Sequence, residues 1–296
     1  MKTTRLLAMM ALVVVVAWPV LAEEEMCGMC HDEVAAAMAN QVHMRIRPFE
    51  VGGHAVGCQG CHGDGTKHME EEGDPAYIRT FADRTEADTE ACLECHQLKG
   101  QNEWHASVHA AEGVTCFDCH TIHTKTNPLE SCRKCHADVT AQMQLPSHHP
   151  VREGKMSCIS CHDPHAATEA QLRTQGRVND LCYTCHQDKE GPFIFEHEPV
   201  EENCLLCHNP HGTVANNLLT ANEPMLCLQC HELHFHAGLV SPEGSVDVGG
   251  TERENPFGTH SMNVAFTTRC TQCHPKVHGS DLPSQTVPGR GRGLTR

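Results

Sequence analysis

All twenty cysteines of this chain, and ten of its twenty-five histidines, fall into one repeated phrase, Cys-x-x-Cys-His. The first five copies are Cys27-Gly-Met-Cys30-His31, Cys58-Gln-Gly-Cys61-His62, Cys92-Leu-Glu-Cys95-His96, Cys116-Phe-Asp-Cys119-His120 and Cys132-Arg-Lys-Cys135-His136. The other five are Cys158-Ile-Ser-Cys161-His162, Cys182-Tyr-Thr-Cys185-His186, Cys204-Leu-Leu-Cys207-His208, Cys227-Leu-Gln-Cys230-His231 and Cys270-Thr-Gln-Cys273-His274. Thiols at this spacing can hold zinc, form a redox dithiol or close a disulfide. None of those chemistries needs an imidazole directly after every second cysteine. Thioether attachment of haem does: two thiols on one tight turn add across the two vinyl groups, and the next histidine becomes the proximal iron ligand. The sequence therefore predicts ten covalently bound c-type haems.

Each haem iron has a second axial position, open to His, to Met or to a substrate. The motifs alternate. Those beginning at Cys27, Cys92, Cys132, Cys182 and Cys227 have plain surroundings, whereas those at Cys58, Cys116, Cys158, Cys204 and Cys270 carry one His upstream and another just after. That pattern selects ten candidate distal ligands: His43, His68, His109, His123, His148, His165, His197, His211, His260 and His278. The phrase His-x-Pro-Val, shared by His148-His149-Pro150-Val151 and His197-Glu198-Pro199-Val200, favours His148 over His149. His54, His105, His149, His234 and His236 are left as spares, and the choices at His43 or His54 and at His234, His236 or His260 stay open. The methionines keep no fixed offset from the motifs and read as gap-fillers. Ten bis-histidine irons predict low potentials and no place for a substrate, hence a wire rather than a catalyst.

The elements that must position these groups are sparse. Residues 1–22 have a Lys2/Arg5 n-region, an apolar Leu6–Val16 core and Val20-Leu21-Ala22 as a cleavage site, the pattern of a Sec signal peptide. The rest divides into tandem two-haem modules at 23–85, 86–126, 127–170, 171–214 and 215–296, with roughly 27 residues per haem. Aromatic residues make up 4 %, and Trp104 is the one tryptophan beyond the leader. A chain so composed cannot offset its ordering entropy with its own apolar surface, so the haems must supply the core. The expected fold is a multihaem cytochrome c: little regular secondary structure, short α-helices and loops wrapped around ten haems, an elongated body and no significant β-sheet. A short helix is expected from Asp32 to Asn40 and a solvated acidic loop from Glu70 to Asp74. Gly238–Pro256 reads as an insertion and Pro283–Arg296 as an extended arm.

The formal charge is −16, and it becomes more negative when Lys2 and Arg5 leave with the leader. That argues against nucleic acid and anionic lipid as partners. No stretch after the leader is apolar enough to span a bilayer.

Three segments carry a family resemblance. They are Cys158-Ile-Ser-Cys-His-Asp-Pro-His165, Cys204-Leu-Leu-Cys-His-Asn-Pro-His-Gly212 and the ending from Cys270 through Pro275-Lys-Val-His278-Gly-Ser-Asp-Leu-Pro-Ser-Gln285. With ten motifs behind a leader, the chain resembles, from Cys27 to Gln285, the decahaem cytochromes of porin–cytochrome conduits, the MtrA and DmsE type. The resemblance implies bis-histidine haems and a protein held inside an outer-membrane β-barrel porin. Electrons would then pass between a periplasmic or inner-membrane cytochrome and an extracellular multihaem cytochrome. The implied location is the periplasm, in association with the outer membrane. A soluble periplasmic shuttle is the alternative, and a multihaem reductase is disfavoured by the surplus of distal histidines. The direction of flow is not set by the sequence.

Overall fold

A computed structural model describes residues 26–45, 50–51, 54–55, 57–97, 101–125, 127–174, 176–231, 245–248, 250–254, 269–284 and 293–295. The leader and His234, His236 and His260 lie outside the described residues, as does most of the Gly238–Pro256 insertion. The described residues form short helices joined by turns; Glu86–Leu93, with eight residues, is among the longest. The helix expected after Asp32 runs Asp32–Met38, with Asp32 and Glu33 in its first turn, where acid favours the helix dipole. Among the described residues, strands form two antiparallel pairs, Glu50–Val51 with His54–Ala55 and Ser245–Val248 with Thr251–Glu254, beside isolated bridges. No helix among the described residues is long and apolar enough to cross a membrane.

The chain separates into two compact units, residues 1–135 with 162–171, and residues 136–161 with 172–296. The stretch 127–170, expected as module three, falls partly in each unit.

Among the described residues a side-chain core is nearly absent. Trp104, Met143, Ala166, Tyr183 and Ala215 are the buried apolar residues among those described, and they are outnumbered by buried polar ones. The polar residues act as bolts. Asn179, fully buried in the helix Val178–Tyr183, donates from Nδ2 to the Val200 carbonyl (2.8 Å) and accepts from Cys204 N–H (2.7 Å). It thereby ties the helix entering the Cys182 motif to the start of the Cys204 motif. Asn179→Ala strands a buried N–H and a buried carbonyl, and should cost roughly 2–4 kcal/mol. Guanidinium titration of the haem-loaded protein would show it as a lower unfolding midpoint.

The second unit contains a joint made twice. Ser147 and Thr213 exchange backbone hydrogen bonds of 3.2 and 2.8 Å, as do Phe195 and Ser280 at 2.8 and 3.0 Å. In both cases a strand fragment two residues before an upstream histidine (His149, His197) meets one two residues after the trailing histidine of the next module (His211, His278). The fit needs glycine: a β-carbon on Gly212 would strike the Gln142 carbonyl, and one on Gly279 the ring of Phe193.

Candidate haem sites

Each motif closes a single helical turn. The histidine N–H donates to the carbonyl of the first cysteine at 2.8–3.0 Å for His31, His96, His120, His186, His208, His231 and His274. Residues at i, i+3 and i+4 share a helix face, so the turn presents two thiols and an imidazole to one side. The sequence accounts for this locally. Thr85 caps Glu86–Leu93 by a reciprocal bond with Asp88, and Thr115 and Asp118 do the same for the turn Cys116–Cys119.

Opposite the motif histidines stand other histidines. Ring centroids lie 6.3 Å apart for His31 and His68, 6.0 Å for His62 and His123, and 6.0 Å for His120 and His165. They lie 6.0 Å apart for His231 and His197, and 6.2 Å for His208 and His278. These five pairs are within 24° of parallel. His96 meets His43 edge-on at 5.9 Å, and His186 meets His149 at 6.2 Å. Two in-line metal–imidazole bonds of about 2 Å each, plus two ring radii, span ~6 Å. The rings are therefore spaced to take an iron between them, and a cleft of about 470 Å³ opens beside His96. Only the His31–His68 pair lies within one module. In the others the partner belongs to a neighbouring module.

The outer ring nitrogens are also committed. Nδ1 of His149 and His197 donates to the carbonyls of Pro210 (2.8 Å) and Val277 (2.9 Å), and His109 Nδ1 lies 3.1 Å from the Pro164 carbonyl and 3.0 Å from Gln171 Nε2. Each of these acceptors directly precedes the trailing histidine of the next module. His68 donates to Asp74 O (2.9 Å), His62 to Arg79 O (2.7 Å), His162 to Ala170 O (3.0 Å) and His208 to Asn217 O (2.9 Å). A carbonyl that holds Nδ1–H leaves the Nε2 lone pair for a metal and stiffens the ring, as is usual around ligating histidine. Burial and the facing imidazole lower the proton affinity of His43, His120 and His123. His278 is lowered by burial, then by Lys189 and His208. Neutral rings are the ligating form.

The structure places the neighbouring rings of His148 and His149 differently. Both ring nitrogens of His148 are engaged, Nδ1 with the Leu145 carbonyl (2.6 Å) and Nε2 with Glu153 (3.1 Å). This contact is the main reason the Glu153 carboxyl falls to about 2. His149 takes the carbonyl and faces His186, as His197 does for His231. His109 and His197 stand seven residues before their cysteines, and His149 is nearer to that spacing than His148.

The other selected residues are placed as follows. His136 caps the helix Ala137–Gln142, and His211 N–H donates to Asn209 Oδ1 at 3.1 Å. Among the spares, His105 is exposed and lies 3.2 Å from Glu90. The motifs from Cys58 to Cys132 in the first unit, and those from Cys158 to Cys270, adjoin in chain order. Cys92 and Cys116 share a hydrogen bond that raises the Cys92 thiol and lowers Cys116 to about 7. Burial, then the neighbouring Cys204 or Cys270, pushes the free thiols of Cys182 and Cys227 up to about 12. Second cysteines meet similarly. Burial and then Cys95 raise Cys61, burial and then Cys185 raise Cys161, and burial and then Cys230 raise Cys207.

Short turns, paired thiols and facing imidazoles, with almost no core of their own, define a multihaem c-type cytochrome. The comparisons agree. The doubled CXXCH motif matches residues 148–191 and 197–234, and the cytochrome c-type protein NrfB-like family matches 58–134. Over 87 % of its length the chain is 33 % identical to the multihaem cytochrome MtrA of Shewanella baltica, covering 78 % of that protein. It is 22 % identical to the C-type polyhaem cytochrome OmcB of Geobacter sulfurreducens, of which it spans 37 %. An undecahaem cytochrome from the S-layer of Carboxydothermus ferrireducens matches 82 % of the chain, and 33 % of its own, at 18 % identity and a TM-score of 0.15. The chain belongs to the family of the multihaem cytochrome MtrA. It is an electron-transfer protein with covalently bound haem.

Proposed function

We propose that the chain carries ten bis-histidine haems and conducts electrons across an outer membrane from within a porin-like β-barrel. The observation that carries this reading is the facing of motif and non-motif imidazoles about 6 Å apart, with Nδ1 held by backbone carbonyls. The proximal ligands are the ten motif histidines. The distal ligands are His43, His68, His109, His123, His149, His165, His197, His211 and His278, with His260 as the tenth. When bound, haem supplies one-electron chemistry at each motif. The protein's own part is to fill both axial positions, orient rings such as His149, His197 and His208 through backbone carbonyls, and bring attachment cysteines of successive motifs side by side. A site with two imidazoles leaves no coordination position for a substrate, which supports a conductor rather than an enzyme.

Family membership and the acidic, weakly apolar surface support the barrel. Such a surface cannot face lipid, but it suits a polar lumen. The partners would be the porin, an extracellular multihaem cytochrome and a periplasmic or inner-membrane cytochrome, with export to the periplasm by the leader. Reconstitution tests this. Outer membrane is extracted in detergent, the protein is captured with its companions, and the material is built into liposomes around a redox dye. A co-purifying barrel and bleaching of the trapped dye by external reductant are expected. Recovery of the protein alone from the soluble periplasm, with the dye still coloured, would leave a periplasmic shuttle.

A further inference from the structure

The motifs at Cys158 and Cys204 are followed by the same local device. His162 donates from Nδ1 to Ala170 O while Asp163 N–H bonds Gln171 O (2.7 Å). His208 donates to Asn217 O while Asn209 N–H bonds Leu218 O (2.8 Å). In each case the acceptors sit on two consecutive residues of left-handed backbone, φ 49° and 52° at Ala170 and Gln171, and 57° and 59° at Asn217 and Leu218. The chain returns within eight or nine residues of the histidine.

At the tenth motif the same bonds come from the far end of the chain. His274 donates from Nδ1 to the carbonyl of Gly293, nineteen residues on. Lys276 N–H donates to Leu294 O at 3.1 Å, and Leu294 has a φ of 47°. Ser284 Oγ and Thr295 Oγ1 bond at 2.9 Å. Gly293 packs so closely that a β-carbon there would strike the Ser284 side chain. Residues 293–295, within the stretch expected to trail as an extended arm, instead lie against the motif.

We propose that residues 293–295 are a clasp that positions His274 and tunes the tenth haem. The proposal rests on His274 being a proximal ligand. A carbonyl bonded to Nδ1–H makes the imidazole a stronger donor and stabilises oxidised iron, so the clasp lowers that haem's reduction potential. It acts through His274 and touches no substrate.

The test uses the exported, haem-loaded protein in three forms: unaltered, truncated after Gln285, and Gly293→Val. The last keeps the chain length and carries the test should truncation impair export. Mass spectrometry counts haems, and potentiometric titration is followed by absorbance and electron paramagnetic resonance. The expected result is ten haems in all three forms, with about one tenth of the titrating absorbance moved to higher potential and one low-spin signal altered in both variants. Titrations and spectra that superimpose on those of the unaltered protein, or a shift to lower potential, overturn the clasp. An unaltered protein with no haem on Cys270 and Cys273 overturns the ten-haem reading itself, a result the potentials cannot mimic.

Discussion

His149→Ala should turn one haem of the protein high-spin and open to carbon monoxide, while His148→Ala leaves the spectrum unchanged. His149 lies 6.2 Å from His186 and is oriented by the Pro210 carbonyl. On the proposed ligation, its removal opens the sixth position of one iron. His148 has no free nitrogen to offer, because Leu145 O and Glu153 occupy both. Dithionite-reduced protein titrated with carbon monoxide should bind about one equivalent in the first variant and none in the second. The reverse result would falsify the reassignment and restore His148 as the ligand.

A second large effect concerns the chain without haem. Exported from a host that cannot attach haem, it should show the circular dichroism of a coil, no cooperative melt and rapid proteolysis. Ordering a residue costs about 1–2 kcal/mol in backbone entropy. Burying one large apolar side chain returns about 1.5–3 kcal/mol, and the buried apolar set among the described residues is Trp104, Met143, Ala166, Tyr183 and Ala215. These few side chains cannot offset the ordering of the whole chain. Trp104 packs 6.1 Å from His165, beside a predicted haem. Its emission should be quenched in the loaded protein and bright and red-shifted in the bare chain. A haem-free chain that melts cooperatively would remove the argument.

The attachment chemistry was legible because covalent rules leave a literal text: two thiols, two spacers, one imidazole, ten times over. The near-absence of a core was legible from composition. The pairing of imidazoles was not. A distal candidate such as His123 stands next to its own motif in sequence, yet its ring stacks on His62 of the preceding module. Only the folded chain brings those two together. The carbonyls of Pro164, Pro210 and Val277 were invisible for another reason, because backbone acceptors carry no signature in residue type. The return of Gly293 to His274 was hidden by a tail with no apolar period, which looks the same whether it is tied down or free.

The offset pairing bears on how such a chain can change length. His43 faces a motif histidine one expected module ahead (His96), and so do His149 (His186) and His197 (His231). His123, His165 and His278 face one in the expected module behind. If a whole internal module is deleted, its neighbours come together with the same offsets, and the rings of these pairs find equivalent partners. If half a module is deleted, rings on both sides lose theirs. Growth and shrinkage by duplication should therefore proceed in steps of two haems. Only the ends need special solutions, a pair closed within one module at His31 and His68 and a returning tail at His274. Conductors of different reach can then be cut from one repeating cloth without redesigning any site.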